Sequence, residues 1–195
     1  TRGGRVGFAR SVNRYGGGRS LDAQALSDNG LLDDGATLWF SILTGVETNA
    51  NGTNVRLAVA LATDPFGTGN GDWWIQHSGS GVGLYLPSGV PRAAAFAGSG
   101  APLADPDVAP RFTPGVHGVV VGKIVWGATS ADPDSIALFI PDTSMGGIDT
   151  PVSTYTTTVD QAAFDTLTFR WGDLPILDEI RFGASYASVV YGVDS

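Results

Sequence analysis

Residues 164–189 read FDTLTFRWGDLPILDEIRFGASYASV, and their alternation decides the fold class. Leu167, Phe169 and Trp171 fall on one face of an extended chain while Thr166, Thr168 and Arg170 fall on the other, a period of two that no helix produces. A strand is therefore predicted over 164–171. After the Gly172-Asp173 break, Ile176, Asp178, Ile180 and Phe182 share one parity, which predicts a second strand over 177–183 and places Asp178 on its core face.

The same period runs outward through the chain. Val55, Leu57, Val59 and Leu61 oppose Arg56, Ala58 and Ala60, and Ile136, Leu138 and Ile140 oppose Ala137 and Phe139. Further strands are predicted over 5–12, 36–46, 55–63, 72–78, 81–87, 92–97, 116–126, 134–141 and 152–159. Hairpin signals separate them at Asn49-Ala50-Asn51-Gly52, Gly67-Thr68-Gly69-Asn70-Gly71 and Ala131-Asp132-Pro133-Asp134, whose residues supply positive φ or a preset proline turn. Helix is confined to single turns near Asp22–Leu26 or Asp160–Ala163, where an aspartate can cap. The proline-rich segment 98–115 is the longest predicted loop and a candidate rim or lid. Strands at this spacing imply two stacked antiparallel sheets.

Several segments, in order, resemble the laminin-G-like, concanavalin A-like jelly-roll domains of exported bacterial surface proteins. They are Arg19-Ser20-Leu21, the run Thr37 to Leu43, His117 to Ile124, Asp134 to Ile140, and Asp178-Glu179-Ile180-Arg181. The resemblance covers about residues 19–190 and implies one jelly-roll domain over 1–195, with 1–18 irregular or an opening strand. It further implies that Arg5–Val12 pairs with Leu177–Gly183. Relatives of this fold often hold a structural calcium near paired terminal strands, and Asp178 is the residue the resemblance assigns to it. The ordinary alternative, favoured here, is a strand-end carboxylate accepting backbone N–H bonds or pairing with an arginine.

Composition narrows the function classes. The 195 residues include 28 Gly and 11 Pro with 43% hydrophobic residues, enough apolar material for a folded core between frequent turns. A net charge of −8 disfavours non-specific attraction to nucleic acid or anionic lipid. The absence of cysteine removes disulfides, zinc-thiolate sites and cysteine nucleophiles together. Lys123 is the single lysine, a bias common in salt-exposed exported proteins. The chain begins at Thr1 rather than Met, so an upstream segment removed by processing is expected, and no apolar run approaches the roughly 20 residues of a membrane helix.

Glycoside hydrolysis with retention needs two carboxyls about 5–5.5 Å apart, which enzymes of related architecture place on alternate residues of one strand. Glutamate occurs only at 47 and 179, and Asp132 with Asp134 and Asp105 with Asp107 lie in a turn and a loop. His77 and His117 have no nucleophile-elbow sequence nearby. Adjacent Trp73 and Trp74 must point to opposite faces of an extended segment. Trp73 shares parity with Ile75, so Trp74, Gln76 and Asp72 fall together on the other face, an aromatic platform flanked by polar groups suited to a sugar ring. The ordinary alternative is that a loop or neighbouring strand covers Trp74. Trp39, Trp126 and Trp171 are read as core or sheet-edge residues. The resulting expectation is a non-enzymatic extracellular binding module for carbohydrate or another cell-surface polymer. The alternatives are a self-assembling subunit of a surface layer, sheath or fibre, and, below it, a glycosidase or lyase.

Overall fold

Large and small side chains alternate along the strands, and the large ones meet in a single layer between two antiparallel sheets. The computed structural model describes residues 15–20, 23–47, 55–66, 75–100, 102–104, 110–142, 144–145, 148–172 and 175–192. Among these, the strands are β1 (Tyr15–Ser20), β2 (Thr37–Val46), β3 (Arg56–Ala62), β4 (Ile75–Pro87), β5 (Arg92–Gly100), β6 (Leu103–Ala104), β7 (His117–Val125), β8 (Asp134–Phe139), β9 (Ser153–Thr157), β10 (Thr166–Gly172) and β11 (Pro175–Gly183). Two short helices, α1 (Ala23–Asp28) and α2 (Tyr186–Val190), and a 3-10 turn at Gln161–Ala163 complete them. The sheets have orders β1-β10-β3-β4-β5-β6 and β11-β2-β7-β8-β9. Among the described strands the first two pair with the last two, β1 with β10 and β2 with β11, which is the winding of a concanavalin A-like jelly roll.

Leu57, Val59 and Leu61 of β3 and Val82, Leu84 and Leu86 of β4 pack against Leu38, Phe40 and Ile42 of β2, Val120 and Ile124 of β7, and Ile136 and Leu138 of β8. Packing is tight enough to dictate glycine at one position. Gly122 stands opposite Phe40 in the β2–β7 register, and the Phe40 ring fills the space a Cβ at 122 would take. Trp126 is buried at the end of this core, its indole N–H donating to the Leu31 carbonyl at 2.7 Å. Asp134 is 1% exposed at the start of β8. Its Oδ1 accepts the Gly127 N–H and its Oδ2 the Val159 N–H, both at 2.9 Å, so one carboxylate ties two connections to the sheet.

The outer side of the five-stranded sheet is covered by the chain itself. Val189 of α2 packs on Val121 and Phe139 with Trp39 and Tyr186 around it, and Ser41 Oγ donates to the Val189 carbonyl at 2.8 Å. Ser185 and Ser188 cap α2 reciprocally. Tyr186 and Tyr191 both donate their hydroxyls to the Met145 carbonyl.

Two expectations from the sequence are corrected. Segments 75–78 and 81–87 belong to one strand, because Gly79, Ser80 and Gly81 continue β4 past an irregularity in its pairing with β5 rather than turning the chain. β11 pairs with β2 on one side, and residues 5–12, the expected partner of 177–183, lie outside the described residues. Asp178 is not on the core face. Leu177 is buried there instead, and a bulge between Asp178 and Arg181, with Glu179 at φ 42°, resets the parity so that Ile180 and Phe182 return to the core side. The parity argument assumed an unbroken strand.

Candidate functional site

The outer side of the six-stranded sheet is built differently from its counterpart. Alternation along β3, β4, β5 and β10 sends Arg170, Ala58, Tyr85 and Arg92 outward, and these four are successive register partners across four strands. The next row is Thr168, Ala60, Gly83, Ala94 and Ala104, and the third is Thr166, Ala62, Gly81 and Phe96. Arg56 extends the pattern beyond the first row, paired with Gly172 and Pro87. The result is a floor of Ala and Gly with guanidinium groups and a phenol gathered at one end.

The floor is small for a physical reason. A Cβ at Gly83 would run into the Val59 carbonyl, and one at Gly81 would stand 2.9 Å from the Ala62 Cβ. β4 lies too close on β3 there for a side chain. At the far end, Phe66 folds over the face and packs on Phe96 at 5.1 Å between ring centroids, while its N–H donates to Thr168 Oγ1 at 2.6 Å. In β10, Thr168 and Arg170 are 0% and 7% exposed, whereas Phe169 and Trp171 on the core side are half-buried and stack on each other at 5.7 Å. The polar face of β10 is therefore the more enclosed one.

Electrostatically, burial pushes the Tyr85 hydroxyl above its ordinary value of 10.0, and the positive charges of Arg56 and Arg92 pull it partway back. That opposition places both guanidinium groups within electrostatic reach of the phenol. Tyr85 and Arg92 are direct cross-strand partners, a separation at which long side chains touch. The Arg92 Nε is enclosed with no hydrogen-bond partner.

The residues singled out from the sequence are distributed otherwise. Asp72 and Trp74 lie outside the described residues, and Gln76 is placed only as a β4 residue paired with Ser99. Asp178 is half-buried at the bulge, where its Oδ1 accepts the Glu179 N–H at 2.9 Å, as the ordinary reading of a strand-end aspartate expects. Among the described residues no group of three His, Cys, Asp or Glu side chains is arranged to hold a metal ion. Glu179 is exposed and pairs with Arg181 at 3.2 Å; Glu47 is exposed just past β2, and His117 is exposed at the start of β7. Segment 98–115 carries the end of β5 and the edge strand β6, which borders the Ala/Gly floor through the Ala94–Ala104 pair.

Sequence reasoning missed the Arg-Tyr row. The available signal was three arginines at outward parity in strands of a chain with 11 basic residues, and it becomes a row only when the register of four strands is known.

No protein-family model matches this chain, and no curated protein matches it. Among solved structures it is similar to sheep galectin-11 in complex with glycerol, at 13% identity and a TM-score of 0.46, covering 88% of this chain and 98% of the galectin. It is also similar to the endo-β-1,4-glucuronan lyase of the fungus Trichoderma reesei, at 14% identity and 0.49, covering 92% of this chain and 78% of the lyase. Ancestral congerin aligns at 13% identity and 0.39, covering 77% of this chain and 97% of the congerin. At these identities and scores, nothing about ligand or chemistry passes from them to this chain.

Proposed function

We propose that this chain is a non-enzymatic carbohydrate-binding module, exported to the cell surface or beyond, whose ligand lies on the outer side of the six-stranded sheet. The observation that carries the reading is the registered row Arg170–Ala58–Tyr85–Arg92 beside a floor of Ala and Gly. Tyr85 and Arg92 are the half-buried members of that row, so an aromatic ring offers its face to a sugar and a guanidinium bonds its hydroxyl oxygens. Burial holds the proton on Tyr85, so its phenol stands on this face as a hydrogen-bond donor.

Glycan-array screening followed by titration calorimetry tests the reading, with Tyr85→Ala and Trp74→Ala as variants. Loss of binding in Tyr85→Ala with an unchanged unfolding midpoint is the expected result; binding that survives both substitutions moves the ligand elsewhere. Incubation with β-glucans, alginate, agar and xylan is expected to release neither reducing ends nor unsaturated sugars, and reproducible turnover would make the chain an enzyme. A structural calcium at Asp178 is a subsidiary part of the proposal, motivated by the resemblance of Asp178-Glu179-Ile180-Arg181 to the family pattern. A chelator that leaves the unfolding midpoint of the wild-type chain unmoved removes it.

A further inference from the structure

We propose that β9 is a self-association edge: two copies of this chain join antiparallel along Ser153–Thr157, so that their five-stranded sheets become one continuous sheet. The inference stands apart from the carbohydrate-binding reading and concerns a different side of the molecule.

The contrast among edge strands carries the argument. The outermost strand of a sheet is a template for pairing with another chain, and natural sheets blunt it with shortness, charges, proline or bulges. Among the described strands β1, β6, β9 and β11 lie outermost. β6 is two residues long, β1 runs through Gly16, Gly17 and Gly18 into Arg19, and β11 carries Glu179, Arg181 and the bulge at positive φ. Of these four, only β9 has none of the devices. It pairs with β8 in an unbroken register from Thr157 opposite Asp134 to Ser153 opposite Leu138, and residues 152–159, VSTYTTTV, contain neither a charge nor a proline. Val, Thr and Tyr are residue types that suit a strand best.

The core is also left open on this side. Val152 and Tyr155 pack against the core between the sheets and yet stay half-buried, while Thr154 and Thr156 face outward and are exposed. Ser153 Oγ accepts the Ala93 N–H at 2.9 Å, which ties β9 to the six-stranded sheet and fixes its course. A strand laid beside β9 gains the remaining apolar surface of Val152 and Tyr155. A second copy fits because the segment complements itself. About a two-fold axis at Tyr155, antiparallel pairing sets Tyr155 against its own counterpart, Ser153 against Thr157, and Thr154 against Thr156. Aromatic pairs and Thr–Thr pairs are both favourable across strands. Two copies of a chain of net charge −8 repel, and an uncharged strand is where they meet at least electrostatic cost. Five residues make a small contact, below the area of a permanent interface, so the dimer is a reversible one.

Sedimentation velocity of the intact chain from about 10 µM to about 1 mM tests the inference, with amide hydrogen exchange over β9 at both ends of the range and thermal unfolding as the control for folding. The mass is expected to rise from 20.1 kDa toward twice that value, and the β9 amides to gain protection as it does. Thr154→Lys with Thr156→Lys sets lysines opposite one another between the copies and should weaken association at least about tenfold, even though it lowers the net negative charge. Thr154→Lys with Thr156→Glu sets Lys against Glu in the same register and should hold association within about threefold of wild type. A chain that stays monomeric throughout overturns the inference, whether or not a strand of another protein takes the edge. Association of the wild type without added protection at β9 overturns it as well. So does association indifferent to the double lysine variant, or a Lys/Glu variant that associates as weakly as the double lysine one.

Discussion

Replacing Asp134 tests whether one carboxylate holds the β7–β8 connection and the segment after β9 together. The side chain is 1% exposed and each oxygen accepts one backbone N–H at 2.9 Å, from Gly127 and Val159. Asp134→Ala removes two charge-assisted bonds and leaves two buried donors without acceptors. With about 1–3 kcal/mol for each orphaned donor, the substitution should destabilise by about 3–5 kcal/mol. Asp134→Asn keeps one carbonyl oxygen but turns an NH2 toward the other N–H, so its cost should be about 2 kcal/mol, clearly below that of Ala. Urea unfolding at neutral pH measures both, and amide hydrogen exchange at Gly127 and Val159 gives a local readout that a general loss of stability does not mimic. An Asp134→Ala variant within about 1 kcal/mol of wild type, with those two amides still protected, would refute the reasoning.

Gly122→Ala drives a methyl group into the Phe40 ring and should cost about 1–3 kcal/mol in urea unfolding, with Phe40→Leu recovering part of the loss in the double variant; purely additive losses would mean that the two do not share that space. The Tyr85 proton adds a pH dependence. Its folded pKa lies above 10.0, so the stability it contributes is complete below about pH 10 and is lost as pH rises through the folded value. Tyr85→Phe should flatten the decline of the urea midpoint at alkaline pH, and an unchanged slope would mean that the phenol ionises alike in both states.

Legibility from sequence followed how local the cause was. β3 was readable because Val55, Leu57, Val59 and Leu61 alternate with Arg56, Ala58 and Ala60, and large side chains on one parity leave no choice of face. β10 was readable for the same reason. β11 was misread at Asp178 because the bulge turns on Glu179, a residue type that gives no warning of positive φ. Glycines 79 and 81 signal a turn by composition, yet Gly81 serves a close approach between β3 and β4 that exists only once the strands are paired. α2 is too short for periodicity, and its capping serines look like any polar pair. The Arg-Tyr row was the least readable feature, since its members lie as far apart as Arg56 and Arg170 and share only a position across the sheet.

The helix behind the five-stranded sheet carries the folding unit past β11. By strand count the domain finishes at Gly183, yet the five residues of α2 supply Val189, whose neighbours on the sheet include Val121, Phe139 and Trp39. A chain cut after β11 would keep every strand of both sheets and still present that patch bare to water, a surface that draws copies of the molecule together. The minimal folding unit is therefore longer than the minimal β-sandwich, and any fusion or excision of this domain has to carry α2 with it.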